Sequence, residues 1–134
     1  MNFSNERPIY IQIKERICQM VARGDLCAGE KMPSLRDLAL QLKVNPNTAQ
    51  RAYRELEEEG LLFTRRGQGT FVVEDGDVIL SLREKLGEDR ARAYLEGARA
   101  LGLSGRESIR LLEKLVDGEE EDADGRNYQD RKPG

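Results

Sequence analysis

The residues with the clearest chemical potential lie on one side of a short helix that the sequence predicts over residues 46–59. Apolar residues recur there at i, i+3, i+4 and i+7, which is the spacing of one face of an α-helix. Asn47, Arg51 and Arg54 fall on the opposite face at about 100° per residue. No acidic residue occurs between Lys43 and Arg54. Amide and guanidinium groups arranged in this way are suited to the major groove of DNA.

Base-reading side chains are expected in the first half of this helix. Asparagine and glutamine can pair bidentately with adenine, and arginine with guanine, at about 1–3 kcal/mol of discrimination each. The candidates are Asn47, Thr48, Gln50, Arg51 and Arg54. Arginine also binds phosphate, so both roles stay open for Arg51 and Arg54. A solvated helix face without a ligand is the alternative interpretation.

The last turn of the same helix has the opposite charge. Four of the five residues that follow Arg54 are glutamates, namely Glu55, Glu57, Glu58 and Glu59. We expect these carboxylates to form a solvated surface on the end of the helix that leans away from DNA.

Two helices are predicted before this one, as its support. An apolar stripe after Pro8 predicts a helix that ends at Gly24, preceded by a short flexible arm at residues 1–7. A second stripe, over residues 35–42, follows Ser34, whose hydroxyl can accept a hydrogen bond from the first turn. Both helices are interpreted as structural elements that position the third.

A hairpin is predicted after the third helix, which itself begins with the capping residue Asn45 and with Pro46. Strand-like runs at residues 61–65 and 70–73 flank a small, basic turn. That turn consists of Arg66, Gly67, Gln68 and Gly69. Three helices followed by a two-stranded hairpin form a winged helix-turn-helix domain, here residues 1–75. Its small tip residues would let the backbone approach the minor groove.

Beyond residue 75 the sequence predicts two more helices, over about residues 78–101 and 104–118. A two-helix segment of this size, residues 76–118, cannot bury its apolar stripe alone, so we expect two protomers to pair through it. The expected dimerisation residues are Ile79, Leu82, Leu86, Tyr94, Ala98, Leu101, Leu112, Leu115 and Val116. Packing of these helices on their own domain is the alternative. Residues 119–134 are predicted to form a disordered acidic and polar tail.

The charge of the chain is unevenly distributed. Its net charge is −3, yet residues 1–73 carry 11 Lys and Arg against 9 Asp and Glu, whereas residues 74–134 carry 11 against 16. A basic face on the first half is compatible with DNA binding even though the whole chain is acidic.

Composition excludes several classes of function. The chain has no histidine, so Cys/His zinc sites and the commonest general base are absent. No nucleophile motif, nucleotide-binding loop or metal cluster is found, which predicts a protein that is not an enzyme and needs no cofactor or metal. No apolar run approaches the ~20 residues that span a bilayer, and a cytoplasmic location is expected. The two cysteines, Cys18 and Cys27, are expected to be reduced and packed, with a redox switch as the alternative.

The run from Pro8 to Val72 resembles the DNA-binding domain of the GntR family of bacterial transcription regulators. The matching segments are PIYIQI at 8–13, GEKMPSLRDLA at 29–39, VNPNTAQRAYRELE at 44–57, EGLL at 59–62 and RGQGTFV at 66–72. Most members carry a larger effector domain, whereas the short two-helix segment here is similar to the YtrA-type subfamily, which often regulates transporter genes.

Three further residues are candidates for contacts with DNA, and the resemblance supplies the first. Arg36 matches the family arginine that reaches DNA from the turn at Pro33 and Ser34. The hydroxyl of Ser34 would donate to a phosphate, unless helix capping is its only role. Lys43 would add a phosphate contact from the turn between the second and third helices.

These observations predict a mainly α fold with a small β-hairpin. The expected function is that of a homodimeric, sequence-specific transcription regulator, a repressor that binds palindromic double-stranded operator DNA. A winged-helix module that binds another protein is one alternative, but it would need an apolar or acidic outer face on the third helix. A ligand-responsive regulator is another, with a pocket between the C-terminal helices of the dimer near Ala91, Tyr94, Gly97 and Ala98.

Overall fold

The chain forms five α-helices and one β-hairpin over the residues that the structure, a computed structural model, describes. These are residues 3–130, with side chains described to residue 122. The elements are α1 (Ile9–Arg23), α2 (Leu35–Leu42), α3 (Pro46–Glu58), β1 (Leu62–Arg65), β2 (Gly69–Val72), α4 (Gly76–Ala100) and α5 (Gly105–Asp130). They divide into two compact units, of which the first ends at Leu86 and the second begins at Gly87. None of these helices is long and apolar enough to cross a membrane.

The first unit is a winged helix-turn-helix domain, as the sequence predicts. Helices α1, α2 and α3 pack around one apolar cluster, and β1 pairs with β2 in antiparallel register from Leu62↔Val72 to Arg65↔Gly69. The buried cluster consists of Ile13, Ile17, Val21, Met32, Leu38, Ala39, Ala49, Ala52, Tyr53, Leu56, Leu61, Leu62 and Val72. The mainly helical fold with a small hairpin is therefore confirmed.

Local capping signals account for the helix ends of this unit. The Ser34 hydroxyl accepts a hydrogen bond from the Asp37 N–H at 3.1 Å. The Asn45 carbonyl oxygen Oδ1 accepts one from the Asn47 N–H at 2.8 Å. Gly24 ends α1 in the left-handed conformation, with φ of 92°. Because each signal acts within a few residues, the predicted boundaries agree with the structure.

A third extended segment lies along β2. The Met32 N–H donates to the Thr70 carbonyl at 2.7 Å, and the Val72 N–H donates to the Glu30 carbonyl at 2.8 Å. Lys31 pairs with Phe71 as an isolated bridge. The connection between α1 and α2 therefore covers the outer edge of the hairpin and places Pro33 at the start of α2.

The flexible arm predicted at residues 1–7 is wrong for residues 3–7, while residues 1 and 2 lie outside the described range. Buried Gln12 holds this segment with three hydrogen bonds. Its amide donates to the Ser4 carbonyl at 2.7 Å and to the Arg7 carbonyl at 2.9 Å. Its Oε1 accepts from the Ser4 N–H at 2.8 Å. The sequence pattern missed this contact because it depends on one side chain of α1 folding back on the arm.

In the second unit, the end of α4 packs on the start of α5. Ser104 and Glu107 form the predicted capping box, since each backbone N–H donates to the other's side chain, at 3.2 and 3.1 Å. The Tyr94 hydroxyl donates to the Ser108 carbonyl at 2.7 Å. Ala98 and Ser108 are buried at this contact.

The predicted helix end at Gly118 is wrong, because α5 continues to Asp130. Gly118 does not adopt a positive φ, and three glutamates, which favour helix, follow it directly at residues 119–121. The disorder predicted for residues 119–134 thus conflicts with helix as far as Asp130. The last four of those residues lie outside the described range.

Candidate nucleic-acid interface

Helix α3 has one face in the core and one in solvent. Its residues Ala49, Ala52, Tyr53 and Leu56 are buried. The hydroxyl of Tyr53 donates to the Pro33 carbonyl at 2.8 Å, and burial raises the pKa of this hydroxyl. This bond ties α3 to the segment that starts α2. The predicted base-reading residues Asn47, Gln50, Arg51 and Arg54 are all exposed, while Thr48 is half-buried.

Arg51 is exposed but already engaged within the protein. Its guanidinium carbon lies 3.8 Å from the centre of the Tyr10 ring. Its Nη2 donates to the Tyr10 hydroxyl at 3.0 Å, and its Nε donates to Glu55 Oε2 at 3.2 Å. Stacking and an ion pair therefore hold this arginine against α1 in the DNA-free protein.

Arg54 differs from Arg51 in having no such contact. Its side chain makes no hydrogen bond or ion pair with the described residues, and neither do those of Arg36, Lys43 and Arg66. All four are exposed. A cation without an internal partner can bind phosphate or a base edge without first breaking a bond. These four cations and Arg51 form the cationic part of the candidate interface.

Three of the four glutamates that follow Arg54 are engaged, contrary to the predicted solvated surface. Lys14 of α1 lies 3.0 Å from Glu55 Oε1 and 2.7 Å from Glu59 Oε1. Burial acts to lower the pKa of Lys14, but these two ion pairs outweigh it and raise the pKa. The contact with Lys14 holds the pKa of Glu55 below its usual range. Glu57 accepts a hydrogen bond from Thr64 on β1.

The turn between α2 and α3 has an unusual backbone at Lys43. This residue has a φ of 56°, and it is the one non-glycine residue with positive φ between residues 3 and 130. Its N–H donates to the Ala39 carbonyl and ends α2. The conformation directs α3 across α2, at a cost of about 1–2 kcal/mol for a residue with a side chain. Ser34, at the other end of α2, uses its hydroxyl as the predicted helix cap.

The wing is the turn of the hairpin, and its two arginines have different roles. Arg65 is held by Glu74, with Nη2 at 3.0 Å from Oε1, and it lies over the Phe63 and Phe71 rings. Arg66 is free of such contacts and lies at the tip, beside Gly67 and the exposed Gln68. Gly67 and Gly69 adopt φ of 78° and 121°, which only glycine accepts without strain.

Comparison with known proteins identifies the family of this domain. Residues 9–72 match the family described as bacterial regulatory proteins, gntR family. The HTH-type transcriptional regulator YhcF of Bacillus subtilis is 39% identical over 116 residues, which are 87% of this chain and 96% of that protein. The chain belongs to the GntR family. The HTH-type transcriptional repressor YtrA of Bacillus subtilis is 42% identical over 73 residues, 54% of this chain and 56% of YtrA.

Solved structures agree with this assignment. A GntR family transcriptional regulator from Listeria monocytogenes matches with a TM-score of 0.80 at 36% identity, over 84% of this chain and 98% of that one. The DNA-binding domain of AraR in complex with operator ORX1 matches with a TM-score of 0.51 at 31% identity, over 54% of this chain and 93% of that one. The family and these relatives are transcription regulators and not enzymes, as the sequence predicts.

Lys31 is a further cation of the candidate interface of this GntR-family domain, although the sequence pattern did not indicate it. Its side chain crosses the wing, so that a Cβ placed on Gly69 would lie 3.0 Å from Lys31 Cε. It is exposed and has no hydrogen-bond or ion-pair partner among the described residues. Pairing between residue 31 and β2 produces this position, and no local motif indicates such pairing in advance.

The residues expected to form a dimer fall into three groups. Ile79 and Leu82 pack against the winged-helix core, and Leu86 is half-buried. Tyr94 and Ala98 join α4 to α5, through the bond from the Tyr94 hydroxyl to Ser108 and the burial of Ala98. The exposed group comprises Leu101, which follows α4, and Leu112, Leu115 and Val116 of α5, together with Ile109 and Leu111, which were not among the expected residues.

Both cysteines are free thiols, in different surroundings. Cys18 is half-buried beside the core, and burial raises its pKa to about 11. Cys27 is exposed, and its Sγ lies 3.5 Å from the Gly24 carbonyl. The expected packed environment is therefore found for Cys18 and is wrong for Cys27. Within the described part of the chain, no cluster of Cys, Asp or Glu residues could hold a metal ion.

Proposed function

We propose that this chain is a repressor that binds a palindromic DNA operator as a homodimer and acts in the cytoplasm. The observation that carries the proposal is the exposed, unpaired Arg54 on the outer face of α3; Arg36 and Arg66 are likewise exposed and unpaired. The operator complex of the similar AraR domain supports it. The outer face of α3 is neither apolar nor acidic from Asn47 to Arg54, which argues against the alternative of a protein-binding module.

In the proposed complex, the first half of α3 enters the major groove and the wing approaches the adjacent minor groove. Asn47, Thr48 and Gln50 face the base edges with Arg54. Arg36, Lys43 and the Ser34 hydroxyl contact phosphates beside α2. Residues 66–69 approach the backbone at the wing. Because such contacts release counterions, affinity should fall steeply as salt concentration rises.

Arg51 has a more restricted role in this arrangement. Its stacking on Tyr10 and its bond to Glu55 fix the guanidinium beside the groove-facing side chains. A stacked guanidinium keeps free N–H groups in its own plane, and these can donate to a phosphate or to guanine. Arg51 therefore contacts DNA from a preset position, whereas Arg54 becomes ordered on binding.

The homodimer is argued from the two faces of α5. At about 100° per residue, Ile109, Leu112 and Val116 lie on one face, with Leu115 beside them. All four side chains are exposed, Leu115 by 63%. The opposite face carries Arg110, Lys114 and Asp117, and Glu113 lies at the edge of the apolar face. We propose that the apolar face packs against the same face of a second copy, because one symmetric contact then buries the apolar side chains of both chains.

This assigns residues 1–75 to DNA binding and residues 76–118 to dimerisation. The contacts of Ile79 and Leu82 with the core indicate that the start of α4 also stabilises the first domain. Assignment to the YtrA-type subfamily, with transporter genes as targets, is part of the proposal. The identity with the YtrA repressor supports it.

Selection of bound sites from random double-stranded DNA tests the function directly. We expect a palindromic sequence with two half-sites about one helical turn apart. On that site, Arg54→Ala should weaken binding by about 5- to 150-fold, which corresponds to the ~1–3 kcal/mol of one base contact. Arg110→Ala is the matched control, because it removes the same charge from exposed α5 and should change affinity less than about twofold.

Two results would contradict the proposal. If selection enriches no sequence, the protein is not a sequence-specific binder. If Arg54→Ala and Arg110→Ala weaken binding equally, the effect belongs to overall charge and not to α3.

A further inference from the structure

A cavity of about 250 Å³, partly open to solvent, lies in the winged-helix unit between α1, α2 and the segment that joins them. It is separate from the outer face of α3. Its walls are mostly apolar and include Ile17 of α1, Met32 of the connecting segment and Leu38 of α2. These three side chains are buried. Concave, mostly apolar clefts that are partly open to solvent are where small ligands usually bind in proteins.

The size of the cavity limits what it can hold. Cavities of about 150 Å³ lined by aliphatic side chains bind benzene, whereas drug-sized ligands occupy about 300–1,000 Å³. A volume of about 250 Å³ therefore suits one ring, or one branched chain, with a single small substituent.

The polar part of the lining indicates the charge of that substituent. Arg16 of α1 and Gln41 of α2 are the two strongly polar side chains that border the cavity, and both are exposed. Neither makes a hydrogen bond or ion pair with residues 3–122. The described lining contains no acidic side chain. A guanidinium and an amide with free donors at the rim of an apolar cavity match a carboxylate.

We propose that this cavity binds a small apolar carboxylate, with its ring or branched chain among Ile17, Met32 and Leu38 and its carboxylate facing Arg16 and Gln41. Pro33 also borders the cavity, and its carbonyl accepts the Tyr53 hydroxyl of α3. A bound ligand would therefore contact the segment whose carbonyl holds α3 through Tyr53. Any effect on DNA affinity rests on the proposed function, but the binding step does not.

The test is a titration of the full chain with benzoate, without DNA, at constant ionic strength. Spectra of methyl-labelled protein report the methyl groups of Ile17, Met32 and Leu38. We expect saturable shifts at these methyl groups with a dissociation constant at or below about 1 mM, as suits a ligand of this size. Benzyl alcohol, which has the same ring without the charge, should bind at least fivefold more weakly.

Two variants and one control distinguish the contribution of the polar rim to binding from that of the apolar lining. Arg16→Gln should weaken benzoate binding about tenfold and leave benzyl alcohol binding unchanged. Arg23→Gln, which removes the same charge from an exposed position of α1, should bind benzoate as the parent does. Met20→Phe puts a rigid ring at the half-buried part of the lining and should weaken both complexes, with a retained amide spectrum showing that it folds.

Shifts that do not saturate by 10 mM benzoate, or that spread over the surface, would overturn the site. Equal binding of benzoate and benzyl alcohol would overturn its preference for a carboxylate. Undiminished binding by Met20→Phe would place the ligand elsewhere. Because the titration contains no DNA, none of these outcomes bears on operator binding.

Discussion

In the unit that ends at Leu86, thirteen apolar side chains form one buried cluster, whereas Ala98 is the one buried apolar residue among the described side chains from Gly87 onward. The second unit nevertheless carries long aliphatic side chains at regular helical spacing on α5. The first unit thus has a core of its own, whereas most of the aliphatic side chains of the second unit are exposed on its surface. This difference is the physical basis of the proposal that the second unit pairs with a second copy of the chain.

The largest effect is expected from a change in the buried cluster. Leu56 of α3 is 0% exposed, so Leu56→Ala should lower the free energy of unfolding by about 2–5 kcal/mol through lost burial and a cavity. Leu40→Ala is the control in the same unit, because Leu40 is 67% exposed and its truncation should cost less than about 0.5 kcal/mol. Urea unfolding followed by circular dichroism measures both. Equal losses would show that Leu40 is covered in solution.

The next effect concerns the apolar face of α5. The double variant Leu112→Asp with Leu115→Asp should raise the dimer dissociation constant by at least 100-fold, because carboxylates would be buried against aliphatic groups. Sedimentation equilibrium over a range of concentrations measures this constant. Leu40→Asp adds a carboxylate at an exposed leucine of the first unit and should leave the dimer intact.

A parent protein that is monomeric at high concentration would refute pairing through α5. A double variant that dimerises as strongly as the parent would move the interface to other residues. In both cases the first unit should keep its fold, since its core does not include α5.

The fold of the first unit could be predicted because its signals are local. Ser34, Asn45 and Gly24 act on backbone groups within a few residues, and the periodicity of α3 identifies its buried face without further knowledge. The same reasoning assigns Arg54 to the exposed face. The same reasoning fails in the second unit, where Gly118 predicts a helix end although the glutamates that follow it favour helix.

Contacts between distant residues could not be predicted in this way. Arg51 and Tyr10 are 41 residues apart, and only the packing of α3 on α1 brings them together. Lys31 reaches the wing because its segment pairs with β2, and Gln12 holds the arm by bonds that leave no periodic pattern. The sequence therefore predicts which face of α3 is available, while the structure distinguishes an arginine that is already held from one that is free.

A smaller effect, of opposite sign in the two units, is expected from replacing glycine with alanine. Gly97 lies within α4, where a Cβ would meet no atom within 4 Å, so Gly97→Ala should stabilise the helix by about 1 kcal/mol. Gly67 has a φ of 78° at the tip of the wing, and Gly67→Ala should destabilise the hairpin by about 1–2 kcal/mol. Thermal unfolding measures both. Destabilisation by Gly97→Ala would indicate that a second copy packs closely on that face.

The smallest effect is a dependence on pH that arises in the buried cluster. Burial raises the pKa of the Cys18 thiol to about 11, so the folded chain keeps a proton that the unfolded chain loses. The stabilisation is complete below the ordinary thiol pKa, near 8.5, and is lost as pH rises through the folded value. Between pH 7 and 9, the free energy of unfolding should fall by roughly 0.8 kcal/mol from this group.

Replacement of each cysteine separates this contribution from the rest of the alkaline response. Cys18→Ala should unfold with a shallower dependence on pH than the parent, whereas Cys27→Ala, at an exposed site of the same unit, should follow the parent curve. Tyr53 is protonated in the folded state for the same reason, and its contribution is lost at higher pH in all three proteins. If Cys18→Ala and the parent have the same slope between pH 7 and 9, the Cys18 thiol is solvated and the edge of the cluster beside α1 is open.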